Sequence, residues 1–214
     1  LRQGSHGPDD YVKPYYVVRQ NNTDVVITQS DPLLQIPTAY AQVNFMQKVR
    51  FKPSEKWDFQ YGFHYSKTST YGRYDRHNRV RNGIARYAEW DYGPQKWMMS
   101  NLNITHTNET WAFKEVQLRL AQQWFEESRI DRTLNKNDRT NAAEKVNAFS
   151  LNLDFLKEIT EKNTLFYGVE YVSNDVISTG SVTDISNGAT VLGPSRYPEA
   201  TWKSIGIYAC LLYT

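Results

Sequence analysis

No stretch of this 214-residue chain carries the roughly 20 consecutive apolar residues that a membrane helix needs. The longest candidate, residues 204–214, is too short. Mean hydropathy is −0.66 and 22% of residues are charged, which excludes a helical membrane protein. It does not exclude a β-barrel, whose strands need an apolar residue only at every second position. Cysteine is nearly absent. Cys210 stands alone, so the chain can form neither an intrachain disulfide nor a cysteine-cluster zinc site. The net charge of +2 lacks the strong basic balance of a nucleic-acid binder. GxSxG, HExxH, P-loop and dinucleotide fingerprints are all missing, so the chain does not read as an enzyme. It starts at Leu1 without Met, apolar signal region or cleavage site, and reads as a mature fragment.

Aromatic residues are abundant, with 15 Tyr and 6 Trp. Tyr and Trp suit the edges of a bilayer, where a ring can be half apolar and half wet. An aromatic-rich β-sandwich has the same composition. The pattern is more telling. Residues 57–65 read Trp-Asp-Phe-Gln-Tyr-Gly-Phe-His-Tyr, aromatic at every odd position and polar or small at every even one. A period of two writes a strand with one aromatic face and one polar face.

Seven such strands are predicted, at residues 38–52, 57–67, 96–107, 111–128, 144–158, 164–174 and from 201 onward. Short turns are expected at 53–56, 108–110 and 160–163. Long loops are expected at 68–95, 129–143 and 177–201. Short and long connections alternate strictly, as in outer-membrane barrels with short periplasmic turns and long extracellular loops. The strands also exceed the usual soluble length of about five or six residues. The fold class predicted is therefore all-β, an antiparallel transmembrane β-barrel segment. Residues 1–37 form an extracellular loop and hairpin segment, with strands at 15–19 and 24–28. Residues 38–214 form a partial transmembrane barrel. The lipid-facing set comprises Phe59, Tyr61 and Phe63, Leu118 and Leu120, Leu151 and Leu153, Leu165 and Val169, and Ile205 and Ile207. Lys48, Arg50, Asp154 and Glu170 lie on the opposite face, toward a lumen or plug.

Several loop-edge stretches carry a resemblance. They are Tyr74-Asp75-Arg76, Trp90-Asp91-Tyr92-Gly93-Pro94-Gln95, Gln123-Trp124-Phe125-Glu126-Glu127-Ser128-Arg129, Leu165-Phe166-Tyr167-Gly168-Val169-Glu170-Tyr171 and Ser195-Arg196-Tyr197-Pro198. In their order and spacing they resemble the early barrel strands of a TonB-dependent outer-membrane receptor, from about residue 15 onward. The resemblance implies a barrel of about 22 strands with a plugged lumen in the outer membrane of a Gram-negative bacterium. It implies import of a scarce nutrient, an iron complex such as a ferric siderophore or haem, with energy from the TonB complex. Plug domain and TonB box lie outside this sequence, so coupling to TonB falls to parts of the receptor absent here. A seven-stranded piece with two open edges is not expected to work alone. The partners implied are outer-membrane lipid, lipopolysaccharide and a small-molecule nutrient, with no nucleic acid, resident cofactor or metal. A non-transporting barrel (adhesin, enzyme or structural protein) and a soluble carbohydrate-binding β-sandwich are the alternatives.

The loop at 71–90 is the candidate ligand site. Arg73 and Arg76 are interleaved with Tyr71, Tyr74 and Trp90, and His77 adjoins them. Arginine forks onto carboxylates and phosphates and stacks on rings, which suits an anionic aromatic ligand. The competing reading is a structured loop whose arginines pair internally or touch lipopolysaccharide phosphates. His and Tyr both ligate haem iron, but a lone surface His is more often solvated. Glu126 and Glu127 invite a glycosidase reading. Adjacent strand residues point to opposite faces, so the pairing expected instead is with Arg129 or Arg132.

Overall fold

The computed structural model describes residues 12–77 and 79–213. These are all-β and antiparallel apart from one helical turn. A first hairpin pairs β1 (Tyr15–Gln20) with β2 (Thr23–Thr28). Its turn residues, Asn21 and Asn22, have φ of 48° and 62°. Two successive left-handed residues suit the right-handed twist of a tight hairpin, and Asn tolerates them best after Gly.

The main sheet begins with β3 (Gln42–Ser54) and β4 (Trp57–Thr68). The next connection holds β5 (Tyr71–Gly72), the helical turn α1 (Tyr74–His77), β6 (Val80–Arg81), β7 (Ile84–Ala85) and β8 (Tyr87–Tyr92). Then come β9 (Lys96–Thr107), β10 (Glu115–Thr133), β11 (Asp138–Thr160), β12 (Asn163–Asp184), β13 (Thr190–Gly193) and β14 (Ala200–Tyr213). The seven long strands lie side by side in chain order: β3, β4, β9, β10, β11, β12, β14. The sheet is open among the described residues. β3 pairs only with β4, and β14 only with β12.

The register makes the two faces explicit. One row runs Phe51, Phe59, Ile104, Leu118, Leu153, Val169, Ile207. The next same-face row runs Val49, Tyr61, Leu102, Leu120, Leu151, Tyr171, Ile205. Every position in both is apolar or aromatic. All the residues expected to face lipid, Phe63 and Leu165 included, fall on this one face. Between the two rows, on the opposite face, lie Arg50, Gln60, Asn103, Arg119, Asn152, Glu170 and Gly206. The groups there pair with one another. Arg50 forks onto Asp58, Asn152 donates to Glu170 at 2.8 Å, and the Tyr208 hydroxyl donates to Asp154 at 2.6 Å. Gly168 sits between Asp154 and Tyr208 in register, and a Cβ there would lie 2.7 Å from the Tyr208 ring. Glycine is what lets that ring lie flat across the strand.

The apolar band slants. Tyr61 stands mid-way along the aromatic run of β4, whereas Ile205, reached through the same row, starts the apolar run that ends near Tyr213. Such a drift follows when strands tilt relative to the band they cross. An aromatic ladder borders the band at the short-turn end. Trp57 stacks on His106 at 4.0 Å, His106 meets Phe113 at 6.2 Å, Phe113 meets Phe155 at 6.0 Å, and Phe155 stacks on Tyr167 at 4.9 Å. Both edge strands are exposed throughout, apart from a half-buried Ser204, and Ile207 is 84% exposed. Buried apolar side chains among the described residues are few: Ala85, Ala88 and Trp90, all at the other end.

Several boundaries differ from expectation. The loop expected at 129–143 is mostly paired strand. β10 and β11 stay in register to Asp131 and Thr140, and only residues 134–137 turn. β12 likewise continues to Asp184, and β13 occupies part of the expected loop at 177–201. Above the band apolar residues such as Ile130, Ile177 and Val182 are scattered over both faces among polar ones, so the alternation vanishes from the sequence while the backbone ladder continues. Trp111 is not a strand residue. The strand starts at Glu115, and Thr110 closes a turn by donating to the Phe113 carbonyl and accepting its amide. β11, at 23 residues, spans about 75 Å, well beyond a hydrocarbon core of about 30 Å. The overrun lies on the side away from the short turns.

Candidate functional site

At that far end β8 takes over from β9 as the partner of β10, setting Tyr92 opposite Arg129 and Trp90 opposite Asp131. Period two places Trp90, Tyr92, Arg129 and Asp131 on the polar face of the sheet. β5 brings Tyr71 beside Tyr92, with ring centroids 6.1 Å apart. The chain then turns so that Arg73 and Arg76 come over the same rings.

Three guanidinium groups thus surround two aromatic rings. Arg73 lies 5.2 Å from the Trp90 ring centroid and 5.4 Å from that of Tyr92. Arg129 lies 5.3 Å and 5.1 Å from the same two rings, and Arg76 lies 5.6 Å from Trp90. Arg73 and Arg129 both donate to the Tyr92 hydroxyl, at 2.8 Å and 3.1 Å. Asp75 accepts from Arg73 Nε at 2.7 Å. Burial pushes the Asp131 carboxyl up, against the opposing pull of Arg129. The Nε atoms of Arg76 and Arg129 are buried without a hydrogen-bond partner. Burial, then the Glu127 charge, raise the Tyr71 hydroxyl above its ordinary range. Such a cluster is suited to planar anions and to π-faces, since guanidinium groups fork onto the first and stack on the second.

Of the six residues picked from the sequence, Tyr71, Arg73, Arg76 and Trp90 gather here. Tyr74 and His77 do not. The Tyr74 hydroxyl accepts the Lys13 amide at 2.7 Å, which ties the segment before β1 to α1. His77 is 2% exposed; its Nε2 accepts the Trp90 amide at 3.2 Å and lies 3.3 Å from Asp91 Oδ1. A ring nitrogen so engaged holds the loop together rather than facing a ligand. Tyr92 and Arg129 were the residues missed. Their signal was the alternation Trp90-Asp91-Tyr92, which puts both rings on one face.

Glu126 and Glu127 do point to opposite faces, but their partners differ from those expected. Glu126 lies 3.9 Å from Lys145, and Glu127 accepts from Gln95 at 3.0 Å. Arg132 binds Asp24 and Glu89 instead. Among the described residues no group of three His, Cys, Asp or Glu side chains is placed to hold a metal ion. No helix is long and apolar enough to cross a membrane, which says nothing about crossing by strands. No family model, curated protein or solved structure matches the chain.

Proposed function

We propose that this chain is part of a β-barrel in the outer membrane of a Gram-negative bacterium, with its apolar face toward lipid and its polar face toward the lumen. The observation that carries the reading is the pair of seven-strand rows without a single charged side chain, backed by a polar, internally paired face. Covering one such large side chain contributes about 1.5–3 kcal/mol, so a band this wide is strongly unfavourable in water. The slant of the band and the aromatic ladder at its border support lipid as the cover, since both belong to tilted membrane strands. The soluble sandwich would need a second sheet over this face. The open edges at β3 and β14 require further strands, since lipid does not tolerate unpaired backbone.

Within that reading, and following the resemblance to TonB-dependent receptors, the Arg73–Arg76–Arg129 cluster captures an anionic, aromatic nutrient at the outer mouth of the lumen. A ferric catecholate or haem fits it; TonB would act through other parts of the receptor. The test has two arms. In the complete barrel, reconstituted in phosphatidylcholine vesicles with brominated acyl chains, single-tryptophan variants keeping Trp57 or Trp124 on the apolar face should be quenched, and one keeping Trp97 on the polar face should not. Equal quenching of all three, or none, overturns the membrane reading. In the second arm, Arg129→Ala should weaken ferric catecholate binding by about tenfold or more, the value of one charge-assisted contact. Unchanged binding would remove the cluster from the site.

A further inference from the structure

We infer that Glu127 and Glu144 form a cation subsite beside the arginine cluster, which takes an ammonium group carried by the same anionic, aromatic ligand. The inference rests on the proposed ligand site and narrows its substrate class to molecules with charges of both signs.

Glu127 and Glu144 are direct register partners across β10 and β11. Strand alternation puts both on the face that carries Arg129 and Tyr92. Like charges directly opposite each other destabilise a strand pair, so the pair needs a counter-charge. Its own row supplies none. Beyond Glu144 the row continues to Ser178, and on the other side Glu127 accepts only from Gln95 Nε2, at 3.0 Å. Lys145, next in sequence, points to the opposite face and lies 3.9 Å from Glu126. Arg129, one row further out, is held over the Trp90 and Tyr92 rings and donates to the Tyr92 hydroxyl rather than to either carboxylate.

Glu144 shows what the pair lacks. It is only 7% exposed. Its Oε1 meets the Ser178 hydroxyl at a long 3.5 Å, and its Oε2 is buried without a hydrogen-bond partner. Ser178 Oγ in turn accepts the Arg196 and Tyr197 amides, each at 3.2 Å, so residues 196 and 197 close that side. Glu127 is half-buried and leaves the other side open. A buried charged acceptor without a donor is costly, and one ammonium has donors for both carboxylates. A calcium ion fits less well. It needs six to eight oxygens, and the Ser178 oxygen is already engaged by two amides.

The pair belongs electrically to the arginine site. Burial, then the Glu127 charge, raise the Tyr71 hydroxyl, and the Tyr71 ring lies 6.1 Å from that of Tyr92. Glu127 and Arg129 are two residues apart on one face of β10, about 7 Å along the strand. A ligand with an anionic core over the guanidinium groups and an ammonium at that separation satisfies both signs. A purely anionic ligand would set its charge beside two unpaired carboxylates.

The test uses the complete receptor in phosphatidylcholine vesicles and two probes, the ferric complexes of dopamine and of propylcatechol. The two catechols differ only by an ammonium in place of a methyl group. Binding is read by quenching of tryptophan fluorescence. The wild type should bind the dopamine complex about tenfold more tightly, the value of one charge-assisted contact. In Glu127→Gln/Glu144→Gln that preference should vanish, while the propylcatechol complex binds at least as tightly as to the wild type. If the double variant does not insert, Glu127→Gln alone, at the half-buried position, should reduce the preference severalfold. Equal wild-type affinity for the two complexes overturns the subsite, as does a preference that survives the substitutions. Stoichiometric calcium that erases the preference would assign the pair to a metal ion and also overturns it. In each of these cases, weaker binding of both complexes in Arg129→Ala leaves the arginine site standing. Binding of neither complex, or binding of both that ignores Arg129→Ala, overturns the proposed ligand site as well.

Discussion

Arg132 grips Asp24 with both ends of its guanidinium, Nη1 to Oδ2 at 2.7 Å and Nη2 to Oδ1 at 3.0 Å, although 108 residues separate them. Both side chains are buried. Arg132 Nε also donates to Glu89 at 2.7 Å, and Asp24 accepts from the Asn135 amide and from Arg19. One cluster thus clamps the β1–β2 hairpin to β8 and to the tip of the β10–β11 hairpin.

Asp24→Ala leaves Arg132 buried with one carboxylate lost, which should cost about 3–5 kcal/mol of hairpin docking. Amide exchange in β1 should then accelerate by two orders of magnitude or more, while β9 is unchanged. Burial pushes the Asp24 carboxyl up, but hydrogen bonds from Arg132, the Asn135 amide and Arg19 outweigh it and hold it below the usual range. Its stabilisation is therefore complete above the unfolded value of about 4 and is lost as pH falls through the lower folded value. Exchange in β1 that ignores both the substitution and acid would refute the clamp.

Lys13 gives the opposite pH window. Burial lowers its ammonium from 10.5 to about 8. Its ammonium sits 5.2 Å from the Tyr15 ring centroid. Between about 8 and 10.5 the opened chain binds the proton that the docked chain has released. Docking should therefore strengthen across that window, by about 3 kcal/mol at its upper end. Lys13→Met should abolish the pH dependence of β1 exchange in that range once the intrinsic exchange rate is divided out. A variant that keeps the wild-type slope would show that another group is responsible.

His77→Ala should cost about 1–3 kcal/mol locally, because the buried Trp90 amide loses its acceptor. His77→Gln offers a replacement carbonyl and should restore most of that loss. Haem titrations should follow the same order, with the Gln variant close to wild type. Loss of haem binding in His77→Gln, with the loop intact by exchange, would identify His77 as an iron ligand after all.

The band was legible because period two survives wherever one face is apolar. Trp57–Tyr65, Leu118–Leu120 and Leu151–Phe155 needed no tertiary information. Beyond the band the signal failed for a physical reason. Thr140, Ser181 and Thr183 belong to paired strands in which apolar residues such as Val182 are too sparse to keep a period of two, so nothing in their order distinguishes them from loop. The site was half legible. Arginine and aromatic density pointed to Tyr71, Arg73, Arg76 and Trp90. The structural duties of Tyr74 and His77 depend on Lys13 and on the Trp90 amide, contacts that no local pattern encodes.

Adjacent residues on β11 offer the sharpest test of facing. Leu151 lies between Leu120 and Tyr171 in the apolar row, whereas Asn152 lies between Arg119 and Glu170 in the polar row. Leu151→Arg in the intact barrel should cost roughly 2–4 kcal/mol in vesicles if it lies near the midplane, because the charge has no partner in hydrocarbon. Asn152→Arg replaces a side chain that already donates to Glu170, and the new guanidinium can take over that carboxylate. It should cost far less, even with Arg119 alongside. The difference is read from denaturant refolding in phosphatidylcholine vesicles. Equal costs at the two positions would overturn the assignment of the apolar face to lipid and the polar face to the lumen, since only a difference in surround makes one charge so much worse than its neighbour.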